Sequence, residues 1–117
     1  MVHSRAGSPA QPEDLIDVEA VEKAYYSLHP DPSNPDQRVV FGTSGHRGSS
    51  LNSAFNEDHV LAMTQAIVDY RDEAGITGPI FIGFDTHLLS IPAWKSALEV
   101  LVANGVSVMT AENDEFT

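Results

Sequence analysis

The chain has 117 residues, 42% of them hydrophobic and 20% charged. That is the make-up of one small globular domain, two at most, able to bury a core of its own. Seventeen acidic residues against six Lys and Arg give a formal charge of -11, which argues against sequence-independent nucleic-acid binding, because that needs clustered cations facing phosphates. No cysteine occurs, so disulfide scaffolds, thiol catalysis and sulfur-ligated zinc are excluded.

In chain order, residues 1–12 carry two prolines and small polar residues and read as a loose arm. From Pro12, the residues Leu15, Val18, Val21, Tyr25 and Leu28 recur at helical spacing, with Glu13 and Asp14 placed for the positive end of the helix dipole. Pro30, Pro32 and Pro35 stop that helix near His29 and make 30–37 a linker. Val39-Val40-Phe41 predicts a short strand ended by Gly42. Asn56 is an N-cap for a helix whose inner face is Val60, Leu61, Thr64, Ile67, Val68 and Arg71, with Gly75 as its stop. Gly78-Pro79 turns the chain into the apolar run Ile80–Phe84, which predicts a buried strand. A further helix is expected with Ser90 as N-cap, Pro92 in its first turn and a stripe of Trp94, Leu98, Leu101 and Val102, closed by Asn104-Gly105. Val106, Val108 and Met109 supply a third strand. The order β-α-β-α-β predicts an α/β fold: a three-layer α/β/α unit with a mostly parallel or mixed sheet, preceded by an N-terminal arm and helix. The expected division is 1–37 for arm, helix and linker, and 38–117 for the α/β/α domain.

Chemistry concentrates at Gly42-Thr43-Ser44-Gly45-His46-Arg47-Gly48, directly after the first expected strand. Glycines let backbone N–H groups approach an anion, and a guanidinium offers phosphate a two-pronged fork. From Val39 to Asn56 there is one arginine and no carboxylate, so an anion repelled elsewhere is tolerated here. The plain alternative is a flexible turn whose arginine pairs with a surface acid; residue types alone leave the two open. Neither a Walker A loop nor a Gly-x-Gly-x-x-Gly fingerprint is present. A second loop, Asp85-Thr86-His87, follows the apolar strand, where ligands gather in open α/β sheets. The same residues also suit a local side-chain turn. The five histidines lack His-x-x-x-His spacing, which argues against a metal site in this chain. Glu112, Asp114 and Glu115 read as a solvated face.

The stretch Phe41–Gly48 resembles the first signature of the α-D-phosphohexomutases, in particular their bacterial, glucose-directed phosphoglucomutase branch. The same branch is resembled by Arg5-Ala6-Gly7 to Asp14-Leu15-Ile16, by Phe55-Asn56-Glu57, by Asp85-Thr86-His87, by Leu98–Leu101 with Ala103–Val106, and by the closing Glu112-Asn113 and Phe116-Thr117. The resemblance runs from about Arg5 to Thr117. It implies interconversion of glucose 1-phosphate and glucose 6-phosphate through a phosphoserine, a magnesium ion and glucose 1,6-bisphosphate, within four domains around one cleft. The cytoplasm is expected separately, because no stretch approaches the ~20 apolar residues of a membrane span and no apolar run follows the amino-terminal charges as in a secretory signal. This chain resembles only the first domain and is expected to be an amino-terminal fragment, its partners being hexose phosphates and the remaining domains, with no nucleic acid and no membrane. The resemblance places Arg47 near the reacting phosphate, with Thr43, Ser44, Gly45 and His46 shaping the phosphate pocket and Asp85, Thr86 and His87 lining the cleft. Phe84 departs from the basic residue, and His87 from the arginine, that many relatives carry. The family's phosphoserine and metal loops have no counterpart before Thr117, so no turnover is expected of the chain alone. A stand-alone, non-catalytic phosphate- or sugar-phosphate-binding module is the other expectation the residues allow.

Overall fold

The computed structural model of the chain describes residues 2–112 and Glu115. Asp114 of the acidic tail, and Asn113, Phe116 and Thr117 of the closing motif, lie outside the described residues. The described chain is an α/β unit made of α1 (Val18–Ser27), α2 (Glu57–Glu73), β1 (Ile80–Phe81), α3 (Ser90–Ala103) and β2 (Val108–Met109), with three short 3-10 turns before α2. The strands are parallel, Ile80 opposite Val108 and Phe81 opposite Met109. Parallel neighbours need a crossover, and α3 supplies it.

Each helix is set by its cap as much as by its apolar stripe. The first helix begins at Val18 rather than Pro12, because Asp17 accepts the Ala20 N–H at 3.0 Å and caps it there. Pro12–Asp14 is a separate 3-10 turn. Leu15, on the stripe of the expected helix, and its neighbour Ile16 are 69% and 67% exposed, so no burial draws them into it. The N-terminal arm is not loose throughout: Arg5 forms an ion pair with Asp14 and lies near Glu13. α2 starts after Asn56 as expected, with the Asn56 N–H donating to His59 Nδ1 at 3.0 Å. Gly75, at φ +64, ends it in a conformation that glycine adopts without strain. α3 corrects the expected cap, since Leu89 occupies the N-cap position and Ser90 is the first helical residue.

The strands are fewer and shorter than the sequence pattern predicts. Val39–Phe41 forms no strand among the described residues; its one ladder contact is an antiparallel bridge from Phe41 to His46. A β-branched run becomes a strand only with a neighbour to pair with, and Val40 and Phe41 stay exposed. The run 80–84 is not a fully buried strand either, for Phe81 is 76% exposed on a sheet of two strands.

The core gathers Val21 and Tyr25 of α1, Val60 of α2, Leu89, and Ala97 of α3, with Phe55, Ile82 and Ala93 packed against them. Tyr25 is fully buried, and its hydroxyl donates to Ser96 Oγ at 2.9 Å; burial pushes its pKa up to about 12. Two further buried polar groups fasten α1 to the segment before α2. Ser50 Oγ donates to the Val21 carbonyl at 2.8 Å, and Asn56 Nδ2 donates to the Ala24 carbonyl at 2.8 Å and to the Ser50 carbonyl at 3.2 Å. With α1 seated, the backbone at 49–56 is fixed, and this segment carries the loop that precedes it. Among the described residues no helix is long and apolar enough to cross a membrane.

Candidate functional site

The two loops singled out by residue type lie on one cleft of about 830 Å3. His46, Arg47 and Gly48 line it from one side and Gly83, Phe84, Asp85, His87 and Ser90 from the other, over an apolar floor that includes Phe55, Ile82 and Trp94. Thr43, Ser44 and Thr86 are exposed and stand outside the lining, as does half-buried Gly45.

The first loop owes its shape to local backbone chemistry. The Gly42 N–H donates to the Gly45 carbonyl at 3.1 Å, closing a tight turn with Gly45 at φ +121. The chain then runs back past Ala54 so closely that a Cβ on Gly48 would stand 2.2 Å from the Ala54 carbonyl oxygen. Only glycine fits there. His46 is tied at both ring nitrogens, Nε2 to the Ala54 carbonyl at 2.7 Å and Nδ1 to the Val40 N–H at 3.2 Å. Its ring stacks on Phe55 and on His59, with centroids 5.9 Å and 5.2 Å apart.

Between His46 and Gly48, the exposed Arg47 forms no ion pair or hydrogen bond among the described residues. The chain's other arginines are committed: Arg5 to Asp14, Arg38 to the Pro32 carbonyl, Arg71 to the Gly78 carbonyl. An uncommitted guanidinium on a fixed loop keeps all its donors for an incoming anion.

The second loop satisfies itself. Asp85 Oδ1 accepts the His87 N–H at 2.9 Å and the Ser90 hydroxyl, and these bonds hold its carboxyl below the usual range. His87 Nδ1 in turn accepts the Leu89 N–H at 3.2 Å. Asp85 and His87 thus shape the turn into α3, with Asp85 held as a carboxylate on the cleft's edge. The sequence pattern missed two contributors. The seat that Ala54 provides for His46 and Gly48 lies several residues away and has no residue-type signature. Phe84, expected at the end of a buried strand, and Trp94, expected in a helical stripe, meet with ring centroids 5.1 Å apart and planes tilted by 51°, and both form part of the cleft's lining. Trp94 Nε1 is buried without a hydrogen-bond partner among the described residues. Among those residues no group of three or more His, Asp or Glu is arranged to hold a metal ion.

Residues 38–115 match the family model described as phosphoglucomutase/phosphomannomutase, alpha/beta/alpha domain I. The chain is also 59% identical, over 112 residues, to a curated protein of Komagataeibacter xylinus named phosphoglucomutase. The match takes in 96% of this chain and 20% of that relative, so the chain spans about a fifth of its relative's length.

Proposed function

Since the chain belongs to the phosphoglucomutase/phosphomannomutase family, we propose that it supplies domain I of a phosphoglucomutase that interconverts glucose 1-phosphate and glucose 6-phosphate. In this reading residues 38–117 are that domain and residues 1–37 lead into it; the other domains, the phosphoserine nucleophile and the magnesium ligands belong to the remainder of the polypeptide. Magnesium would act there as the charge-neutralising ion, and glucose 1,6-bisphosphate would be the intermediate. The cytoplasm is the proposed location. The role of this chain is to bind and orient phosphate. Arg47 offers the fork, and Thr43, Ser44 and Gly45, which stand outside the cleft lining, shape the turn that carries it. Asp85 and His87 form the opposite lip of the cleft, with Thr86 between them in sequence but outside its lining.

The observation that carries the proposal is the Arg47 guanidinium in a cleft wall, without an ion pair or hydrogen bond among the described residues and within a stretch free of carboxylates. Phosphoryl transfer demands little covalent work from most of the protein and much charge stabilisation, which a fixed cation provides. The test is turnover of glucose 1-phosphate by the protein at its natural length and by its Arg47→Ala variant. The unaltered protein should form glucose 6-phosphate, and the variant should be slower by about 100-fold or more, the loss typical of one transition-state donor. Absence of product, or equal rates, would overturn the proposal. The 117-residue chain by itself should show no turnover.

A further inference from the structure

Arg47 is straddled by two residues that are both seated on one carbonyl group. On one side His46 Nε2 meets the Ala54 oxygen at 2.7 Å. On the other, the Gly48 backbone passes so close to that oxygen that no side chain fits between them. The ring chemistry of His46 then follows from elimination. A carbonyl only accepts, so Nε2 carries the proton that meets Ala54; Nδ1 lies 3.2 Å from the Val40 nitrogen and 3.3 Å from the Val40 oxygen, and in the neutral ring, whose one proton is on Nε2, it accepts the Val40 N–H. Both nitrogens are spent on backbone, one on Val40 before the loop and one on Ala54 after it. The ring also stacks on Phe55 and on His59. His59 is itself locked, since its Nε2 meets the Gln37 carbonyl at 2.8 Å and its Nδ1 takes the Asn56 N–H at 3.0 Å. Although His46 belongs to the glycine-rich loop and lines the cleft, its ring has no donor left to offer a ligand.

We infer that His46 is a positioning residue: as the Nε2–H tautomer it clamps Val40 to Ala54, thereby fixing the backbone from which Arg47 meets a phosphate, and it does not touch the phosphate itself. The inference rests on the phosphate reading of Arg47 and deepens it. A ligand-contacting histidine and a clamping one differ in two measurable ways. The clamp keeps its tautomer and its ring environment when phosphate binds, whereas a ligand contact does not. The clamp also acts only through Arg47, so its loss has no effect once Arg47 is gone.

The experiment uses the protein at its natural length, labelled with 15N in its histidines, with inorganic phosphate as the probe. In the unaltered protein the His46 ring should show protonated Nε2 and unprotonated Nδ1, and both signals should stay in place at saturating phosphate. Phosphate affinity is then compared among His46→Ala, His46→Gln, Arg47→Ala and the His46→Ala/Arg47→Ala double variant. His46→Ala should weaken binding about tenfold, the equivalent of one lost hydrogen bond. His46→Gln, which keeps an N–H for Ala54, should recover binding to within about threefold of the unaltered protein. The double variant should bind no more weakly than Arg47→Ala alone. Ring signals that move with phosphate, or losses that add in the double variant, overturn the inference while leaving Arg47 as a phosphate ligand. Unchanged affinity in Arg47→Ala overturns the phosphate reading itself, and this inference with it. The ring spectrum needs no variant, so it decides the matter even where His46→Ala fails to fold.

Discussion

Two glycines of one short loop show how differently the same residue type is used. Gly42 has open space, the nearest non-neighbour atom to an added Cβ being the Gly45 oxygen at 3.9 Å. Gly48 has none, for an added Cβ would stand 2.2 Å from the Ala54 oxygen and 2.6 Å from its carbonyl carbon. Backbone atoms cannot swing aside as a side-chain tip does. Gly48→Ala should therefore push the loop off Ala54, cost roughly 2 kcal/mol or more, and reduce phosphate affinity with it. Gly42→Ala should leave stability within about 0.5 kcal/mol of the parent. Paired denaturant titrations check both, and equal effects from the two substitutions would show that the close approach at Gly48 is not a constraint. The sequence made this loop visible because glycines, hydroxyls and an arginine cluster there. It could not separate Gly48 from Gly42, or reveal the His46 clamp, because Ala54 carries no chemical mark of its own.

At the scale of elements, the caps and stops were legible and the pairing was not. Asn56 and Gly75 bound α2, and Asn104-Gly105 closes α3, because these residues act through chemistry within one turn. Pro12 and the apolar Leu15 misplaced the start of α1, since periodicity records which residues are apolar but not whether anything packs on them. Val39–Phe41 failed as a strand for the same reason. What joins the elements is a set of non-local polar contacts, and Asn56 is their hub. Its amide donates to the Ala24 carbonyl of α1 and to the Ser50 carbonyl, 32 and 6 residues away in sequence, with the whole side chain buried. Asn56→Ala leaves those carbonyls without that donor inside the protein, at a cost of about 2–3 kcal/mol. Its consequence should be local as well as global: amide exchange should quicken across 18–27 before it does in α2 or α3. Loss of stability spread evenly over all three helices would refute the view that Asn56 is what seats α1.

For the whole molecule, charge and shape meet in one prediction. The chain carries a formal charge of -11 on a body with a radius of gyration of 17.0 Å, larger than the about 13 Å of a compact 100-residue domain. Among the described residues the ion pairs are few and peripheral: Arg5 with Asp14 and Glu13 in the arm, and the surface hydrogen bond of His29 with Asp58, which is an ion pair only when the ring is protonated. None of them joins one helix to another. Salt thus has little attraction to screen and much repulsion, and repulsion among like charges opposes the compact state. Between about 0.01 M and 0.1 M salt the screening length falls from about 30 Å to about 10 Å, passing through the size of the molecule itself. Sodium chloride over that range should raise the melting temperature by about 2–4 °C, a gain of roughly half a kcal/mol. Inorganic phosphate at matched ionic strength should raise it further, because an anion that binds only the folded loop stabilises by mass action on top of screening. In the Arg47→Ala variant that second increment should vanish while the first persists. A melting temperature that falls with sodium chloride would mean that attractive pairs, not repulsion, dominate the electrostatics. A phosphate increment that survives in Arg47→Ala would place the anion somewhere other than the glycine-rich loop.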